Sequence, residues 1–246
     1  MAATNNGFDR ELRTDDVWLA FASSQAPLKI WLCDQEPADY LVALSQLHVA
    51  RALGDHGERA MVPLPLGAAA VRVVPSIPAL HQLLRRAFQL SRTLPDELLL
   101  AFERETAGLP RATEVERLVV QRVGQDLFRA GLLEYWEGRC AVTGLAIPDL
   151  LRASHIKPWA ICATDAERLD IYNGLLLAPH LDAAFDRGFI TFGDDGQIAI
   201  SAGLSTPDRL ALALAPVTCI RTLAEGHRAY LTWHRTHHFR DAQPSQ

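Results

Sequence analysis

The chain has 246 residues, of which 49% are hydrophobic and 22% are charged, a balance typical of a globular protein with one large domain or two small ones. No apolar run approaches the length of a membrane span, and the first ten residues lack the apolar core of a secretory signal. The net charge of −5 argues against a broadly basic protein, although a local basic strip would suffice to contact phosphates.

The cysteines are scattered along the chain without close pairs, at Cys33, Cys140, Cys162 and Cys219. This spacing favours reduced thiols over a disulfide framework, and it is unlike a structural zinc ribbon. We therefore expect a cytoplasmic protein with no membrane partner.

Strands are the first predicted elements. Short apolar segments between turn residues predict strands at 17–21, 28–32 and 70–74. Segment 61–66 is also apolar, but Pro63 and Pro65 cannot donate to a sheet. It is therefore predicted to be an edge strand or an irregular segment.

Helices are predicted in the same part of the chain. They cover 37–53, the stretch from an N-cap at Ser76 to Leu90, and a stretch from Pro95 to about Glu105. Gly54 ends the first of them. Together these elements predict an α+β domain over residues 1–110 that carries no catalytic motif.

A second domain, residues 111–246, is predicted to begin after the breaker sequence GLPRA at 108–112. Thr113 and Glu116 form a capping box for a long helix to about Glu137. Gly124 and Gly131 weaken this helix by about 1 kcal/mol each relative to alanine. Its predicted apolar face comprises Val115, Leu118, Val119, Val123, Leu127 and Phe128.

The end of the chain is predicted to form a hairpin and two helices. The hairpin joins 189–192 to 197–200, and the helices cover 207–214 and 225–239. The last helix region offers a candidate basic strip, formed by Arg221, Arg228, Arg235 and Arg240. Histidines 234, 237 and 238 fit one helix face poorly, so we interpret them as phosphate contacts or solvent-facing residues.

The stretch from Arg139 to Arg187 organises the chain. His155, Asn173 and Asp182 are polar residues in apolar surroundings. Leu150 and Leu151 lead into His155 as a strand, three leucines follow Asn173 as a second strand, and Pro179 opens a short helix. Two strands and a helix in this order would bring the three polar groups to one place.

The motifs ASHIKPW, NGLLL and FDRG, in this order, resemble the HNH nuclease family with the ββα-metal fold. The resemblance extends from about Arg122 to Phe239, and includes RVGQDLFR at 122–129 before the core. One departure is visible, because many members carry a second histidine where this chain has Asp182. The resemblance implies an α+β protein whose C-terminal half is a nuclease core.

The resemblance implies a catalytic set of His155, Asn173 and Asp182. His155 suits the removal of a proton from water, because its pKa lies near neutrality. Asp182 suits a hard divalent cation. Asn173 either binds the metal or holds the loop that carries His155, and His180 is either a ligand or a phosphate contact. The implied metal ligands are therefore Asp182, Asn173 and His180.

Structural alternatives stand beside these roles. Asn173–Gly174 is a turn signal in its own right, and Asp182 also suits the N-terminal turn of a helix. Asp186 is expected to orient a neighbour. Predicted nucleic-acid contacts, any of which could instead be simply solvated, are Arg122, Arg129, Lys157, Arg187, Arg228 and Arg235.

The predicted function is a metal-dependent DNA endonuclease, and the resemblance suggests a restriction or phage-defence role. The expected cofactor is Mg²⁺ or Mn²⁺, with Zn²⁺ or Ni²⁺ as alternatives. One competing hypothesis is a DNA-binding protein with the same fold that cuts weakly or not at all, and another is an RNA target. The first domain would recognise the target or form a homodimer.

Overall fold

The computed structural model describes residues 2–12, 17–35, 39–94, 96–214 and 219–241. The backbone divides into two compact units, Met1–Glu97 and Leu98–Gln246. Both contain helices and strands, which confirms the predicted α+β class. Within the described ranges, no helix is both long enough and apolar enough to cross a bilayer.

The first unit is built on one antiparallel sheet with strand order β1-β2-β3-β4-β6-β5. Its strands are β1 (Arg10–Glu11), β2 (Leu19–Ala22), β3 (Lys29–Gln35), β4 (Asp39–Leu44), β5 (Glu58–Ala60) and β6 (Ala70–Val74). Its helices are α1 (Leu47–Ala52) and α2 (Ile77–Thr93). Ser76 caps α2 as predicted, since its Oγ accepts from the Ala79 N–H at 3.3 Å.

The predicted helix over 37–53 is wrong in its first half. Residues Asp39–Leu44 form β4, which pairs with β3 on one side and β6 on the other, and only Leu47–Ala52 is helical. Pro37 lies outside the described residues. A run of apolar residues in a central strand is buried on both faces, so its spacing also fits a helix. Segment 61–66 is irregular, one of the two predicted alternatives.

The second unit carries the remaining elements. They are α3 (Glu97–Thr106), α4 (Glu114–Tyr135), β7 (Arg152–His155), α5 (Asp165–Leu169), β8 (Gly174–Leu177), α6 (Pro179–Asp186), β9 (Ile190–Phe192), β10 (Ile198–Ile200), α7 (Thr206–Ala211) and α8 (Glu225–His237). The capping box of α4 is confirmed: Thr113 Oγ1 accepts from the Glu116 N–H, and Glu116 accepts from the Thr113 N–H at 2.8 Å. The β9–β10 hairpin is also confirmed.

The buried face of α4 differs from the prediction. Val115 is 70% exposed, and Leu118 and Val119 are exposed as well. The buried positions are instead Val120, Gly124, Phe128, Gly131, Leu132 and Tyr135. The sequence reading missed this face because it treated the two glycines only as weak points.

The two glycines of α4 allow close packing. A Cβ on Gly124 would lie 2.6 Å from the Trp159 ring, and one on Gly131 would lie 2.6 Å from Leu98. Leu98 belongs to α3, so α3 packs in the second unit, although the sequence placed it before the boundary at 108–112. At these two positions glycine therefore allows α4 to pack closely against Trp159 and Leu98, although it weakens the helix.

Candidate active site

A two-stranded hairpin carries the central histidine. β7 and β8 pair antiparallel with His155 opposite Gly174, and the Ile156 N–H donates to the Asn173 carbonyl at 2.9 Å. A Cβ on Gly174 would lie 2.6 Å from the Phe128 ring, so α4 lies directly against the hairpin. The predicted strand–strand–helix order is present, with α6 following β8. The first strand was predicted at Leu150 and Leu151, which is wrong: Leu150 ends a 3-10 turn, and β7 begins at Arg152.

A pocket of about 440 Å³ opens at the end of β7. It is lined by Ala153, Ser154, His155, Ile156, Pro158, Trp159, Asp186, Arg187, His234 and His238. The pocket therefore combines β7, the end of α6 and the end of α8. His234 and His238, at the end of α8, are among the lining residues.

The His155 ring is held on three sides. It stacks on Phe128 with ring centroids 3.8 Å apart, meets the edge of Trp159, and its Nε2 lies 2.9 Å from the Arg168 carbonyl oxygen. Burial disfavours the imidazolium and lowers the pKa of His155 to about 4, against the smaller raising effect of the Arg168 carbonyl. The ring is therefore neutral at pH 7.

The hydrogen bond to Arg168 determines the tautomer of His155. A carbonyl oxygen can only accept, so the contact requires the proton on Nε2. Nδ1 then keeps its lone pair. A neutral imidazole with a free lone pair, lining a pocket, can accept a proton from water.

Asn173 is fully buried, and its side-chain amide forms hydrogen bonds with the loop between the two strands. Oδ1 accepts from the Lys157 N–H at 2.8 Å, while Nδ2 donates to the carbonyls of Lys157 and Glu167. An enclosed oxygen cannot reach an ion in the pocket without opening this loop. Asn173 thus holds the loop, which is one of the two predicted alternatives, and its role as a metal ligand stays a prediction.

Two carboxylates lie one turn apart on α6. Burial raises the pKa of Asp182 first, and the charge of Asp186 raises it further; burial also raises the pKa of Asp186. The Ser154 hydroxyl donates to Asp186 Oδ1 at 3.1 Å, and a hydrogen bond from Ser154 also lowers the pKa of Asp182. The sequence reading missed Ser154, whose only signal was its place directly before His155.

These carboxylates fit a hard cation better than a soft one. Mg²⁺ binds through one or two carboxylates and keeps several waters, whereas zinc sites need three or four nitrogen, sulfur or oxygen ligands. Among the described residues, no three His, Cys, Asp or Glu side chains come together as a ligand group. His180 is exposed near the start of α6 and is not among the residues lining the pocket, so its ligand role remains a prediction.

The predicted nucleic-acid contacts fall into two groups. Three of the cations are already engaged: Lys157 pairs with Glu167, Arg129 donates to the carbonyls of Leu151 and Pro148, and Arg235 donates to Phe192 and pairs with Asp194. The donors of these three residues are used within the fold, and their contacts with nucleic acid stay predictions. Arg187 is exposed and lines the pocket. Arg122 and Arg228 are exposed and pair only within their own helices.

The sequence predicted that His234, His237 and His238 are phosphate contacts or solvent-facing residues, but His234 is buried. His234 is buried between Phe185, on which it stacks at 3.9 Å, and Thr191, whose hydroxyl lies 2.9 Å from Nδ1. His238 Nε2 donates to the Asp186 carbonyl at 2.6 Å. Gly188, with φ of +72°, lets the His238 backbone approach closely. These contacts hold the end of α8 against the end of α6.

The segment from Cys140 to Gly193 matches the family model of HNH endonucleases. The resemblance inferred from ASHIKPW, NGLLL and FDRG is thereby confirmed, and this segment is an HNH endonuclease domain. The match contains β7, β8 and α6, whereas α4 and α8 lie outside it. A search of curated proteins returned no match.

Proposed function

We propose that this chain is a metal-dependent DNA endonuclease of the restriction or phage-defence type. The observation that carries the proposal is the state of His155. Within a segment that matches HNH endonucleases, its Nε2 is tied to the Arg168 carbonyl and its ring lines a pocket. Nδ1 is left as the base that accepts a proton from the attacking water.

The low pKa of His155 suits this role once DNA is bound. In the free protein the ring is in its base form at neutral pH, since its pKa is about 4. A phosphate anion beside the ring favours the imidazolium, so binding raises this pKa toward the value at which proton transfer is efficient.

Ser154, Asp186 and Arg187 line the pocket and would bind and orient the substrate and the metal, together with Asp182, which lies one turn before Asp186 on α6 but is not among the lining residues. Asp182 and Asp186 would hold a divalent cation, which neutralises charge on the phosphoryl oxygens when bound. Ser154 fixes the Asp186 carboxylate through its 3.1 Å hydrogen bond. Arg187, exposed at the same pocket, supplies a donor for a phosphate oxygen.

The alternative is a DNA-binding protein with an HNH fold that cuts weakly or not at all. It is favoured by the ligand set: the described residues contain no three-residue metal group, and Asp182 stands where many members of the family have histidine. Two carboxylates alone would bind a cation weakly. This hypothesis predicts DNA binding without cleavage in every metal.

The experiment is plasmid cleavage by the purified chain with Mg²⁺, Mn²⁺, Zn²⁺ or Ni²⁺, on modified and unmodified DNA, beside His155→Ala. We expect nicking with Mg²⁺ or Mn²⁺ by the wild type alone. DNA binding without nicking in any metal would favour the alternative function. Equal cleavage of modified and unmodified DNA would remove the restriction assignment, and a single-stranded RNA substrate tests the RNA hypothesis.

For the first unit we propose target recognition or pairing of two chains. Strands β1 and β5 are the edges of its sheet, and the segment after β5 leaves Met61 and Leu66 fully exposed. Exposed apolar side chains such as these are typical of interaction surfaces. Light scattering of the full chain, with and without DNA, would separate the two roles.

A further inference from the structure

The loop between β7 and β8 contains a partly buried ion pair that does not line the pocket. Lys157 Nζ pairs with Glu167 Oε1, and the two side chains are only 17% and 24% exposed. The hydrogen bond from Lys157 is the main reason that the pKa of Glu167 is lowered. An ion pair shielded from water is screened less than a surface pair, and losing one partner leaves a charge uncompensated.

Glu167 is held by its side chain and by its backbone. Its Oε2 accepts from the Ala163 N–H at 2.7 Å, and its own N–H donates to Thr164 Oγ1 at 3.2 Å. Its carbonyl accepts from Asn173 Nδ2 at 3.1 Å. The position of Glu167 is therefore determined by four separate contacts, of which the Lys157 pair is the only one between opposite charges.

The next residue, Arg168, is the one whose carbonyl meets His155. Its guanidinium pairs with Asp165 at 2.9 Å and donates to the carbonyls of Trp159 and Cys162. Arg168 is thus fixed by its own side chain and by its neighbour Glu167. The direction of its carbonyl, 2.9 Å from His155 Nε2, follows from both.

We propose that the Lys157–Glu167 pair is a latch that positions His155. The pair closes the loop so that the Arg168 carbonyl accepts from Nε2, and this selects the tautomer with Nδ1 free to act as the base. Neither residue touches the reacting atoms. When the latch is open the carbonyl turns away, the ring loses its only polar anchor among the described contacts, and both tautomers become accessible.

The tautomer can be read directly by ¹⁵N NMR of the His155 ring in the full chain, without DNA or metal. In the wild type we expect one neutral tautomer with the proton on Nε2. Glu167→Gln and Lys157→Met each remove the ion pair and should give a mixture of tautomers. Asp126→Asn, which removes an exposed pair with Arg122, is the matched control and should resemble the wild type.

A second measurement, the rate of DNA cleavage by the same variants, rests on the proposed nuclease function. A well-placed general base contributes about 10²–10⁴-fold, so opening the latch should lower kcat by about tenfold at unchanged KM. Lys157→Arg, which keeps the charge, should restore part of the loss. If Glu167→Gln fails to fold, Lys157→Met and Lys157→Arg carry the comparison.

The outcomes separate the two proposals. A single Nε2–H tautomer in both charge-removing variants overturns the latch, as does an unchanged kcat with only a lower melting temperature. A wild-type protein that never cleaves nucleic acid overturns the nuclease function alone, because the NMR measurement still decides whether the pair controls His155. A mixed tautomer together with reduced kcat supports the latch.

Discussion

The imidazole of His155 lies nearly parallel to the ring of Phe128, with centroids 3.8 Å apart and an interplanar angle of 18°. Phe128 belongs to α4, which precedes the segment that matches HNH endonucleases. The helix thus supplies one wall of the histidine's environment, and burial lowers the pKa of His155 to about 4. The site is not complete within the matched segment.

Replacing the central histidine tests the proposed chemistry. His155→Ala should lower the cleavage rate by about 10²–10⁴-fold while DNA binding survives, because the base is lost but the phosphate contacts remain. His237→Ala, which alters an exposed histidine of α8, is the control. Single-turnover cleavage and a binding titration measure the two effects. A rate within tenfold of wild type would exclude His155 as the base.

Replacing Asp182 tests the metal site. Asp182→Ala should weaken Mg²⁺ or Mn²⁺ binding measured by calorimetry, and Asp182→His should shift the preference toward Zn²⁺ or Ni²⁺, which imidazole favours. The structure adds Asp186→Asn, which should weaken binding as well because Asp186 lies one turn after Asp182 on α6 and lines the pocket. Unchanged metal binding in both Asp182→Ala and Asp186→Asn would place the ligands elsewhere, with His180 tested next.

Acid should destabilise the second unit through its buried histidines. The pKa values of His155, His227 and His234 are each lowered from 6.5 to about 4, mainly by burial. Between these two pKa values the histidines are protonated in the unfolded chain and neutral in the folded chain. The free energy of unfolding therefore falls as pH drops from about 6.5 to about 4. Each histidine contributes about 1.4 kcal/mol per pH unit in this window, partly offset by the raised pKa values of Asp182 and Asp186.

His227→Phe isolates one of these contributions. His227 is fully buried among Tyr135, Trp136 and Tyr172, and its Nε2 has no hydrogen-bond partner among the described residues. Its Nδ1 lies 3.3 Å from the Ala224 carbonyl oxygen, which keeps the His227 backbone N–H as a donor when the ring is replaced by phenylalanine. Urea unfolding between pH 7 and pH 5 should show a slope shallower by about one proton. An identical slope in the variant would show that His227 titrates normally.

Replacing Arg187 should affect DNA binding, whereas replacing Arg235 should affect thermal stability. Arg187→Gln removes an exposed donor at the pocket, so it should weaken DNA binding and reduce the salt slope by about one. Arg235→Gln removes the contacts to Phe192 and Asp194, so it should lower the melting temperature and leave the salt slope unchanged. Arg228→Gln replaces an exposed arginine of α8 that takes no part in those contacts, and its salt slope tests the predicted contact of Arg228 with DNA. A lower salt slope for Arg235→Gln would support the predicted contact of Arg235 with DNA.

The position of α3 predicts which fragment folds. A chain starting at residue 96 keeps the packing of Leu98 on Gly131 and of Phe102 on Gly124, whereas a chain starting at residue 108 exposes this face of α4. We expect the longer fragment to be soluble and to nick DNA with reduced selectivity, and the shorter one to be less stable. Thermal unfolding of the two fragments tests this prediction. Equal melting temperatures would support the domain boundary at 108–112 that the sequence predicts.

Local features were predictable from the sequence. The capping box at Thr113 and Glu116, the Ser76 cap and the β9–β10 hairpin depend on residues within a few positions of one another. The leucines after Asn173 were predicted to form a strand and do so in β8, whereas the strand predicted at Leu150 and Leu151 begins only at Arg152. This local information was enough to identify the family.

Partners distant in the chain were decided only by the tertiary structure. Asp39–Leu44 became a strand because β3 and β6 offered hydrogen bonds on both sides, which overrode helical spacing. Lys157, Arg129 and Arg235 were assigned to DNA because a cation's partner cannot be identified from its own position in the sequence. Phe128 and Arg168 reached His155 only when α4 and α5 packed against the hairpin. Such contacts depend on the folded positions of side chains, which local sequence does not specify.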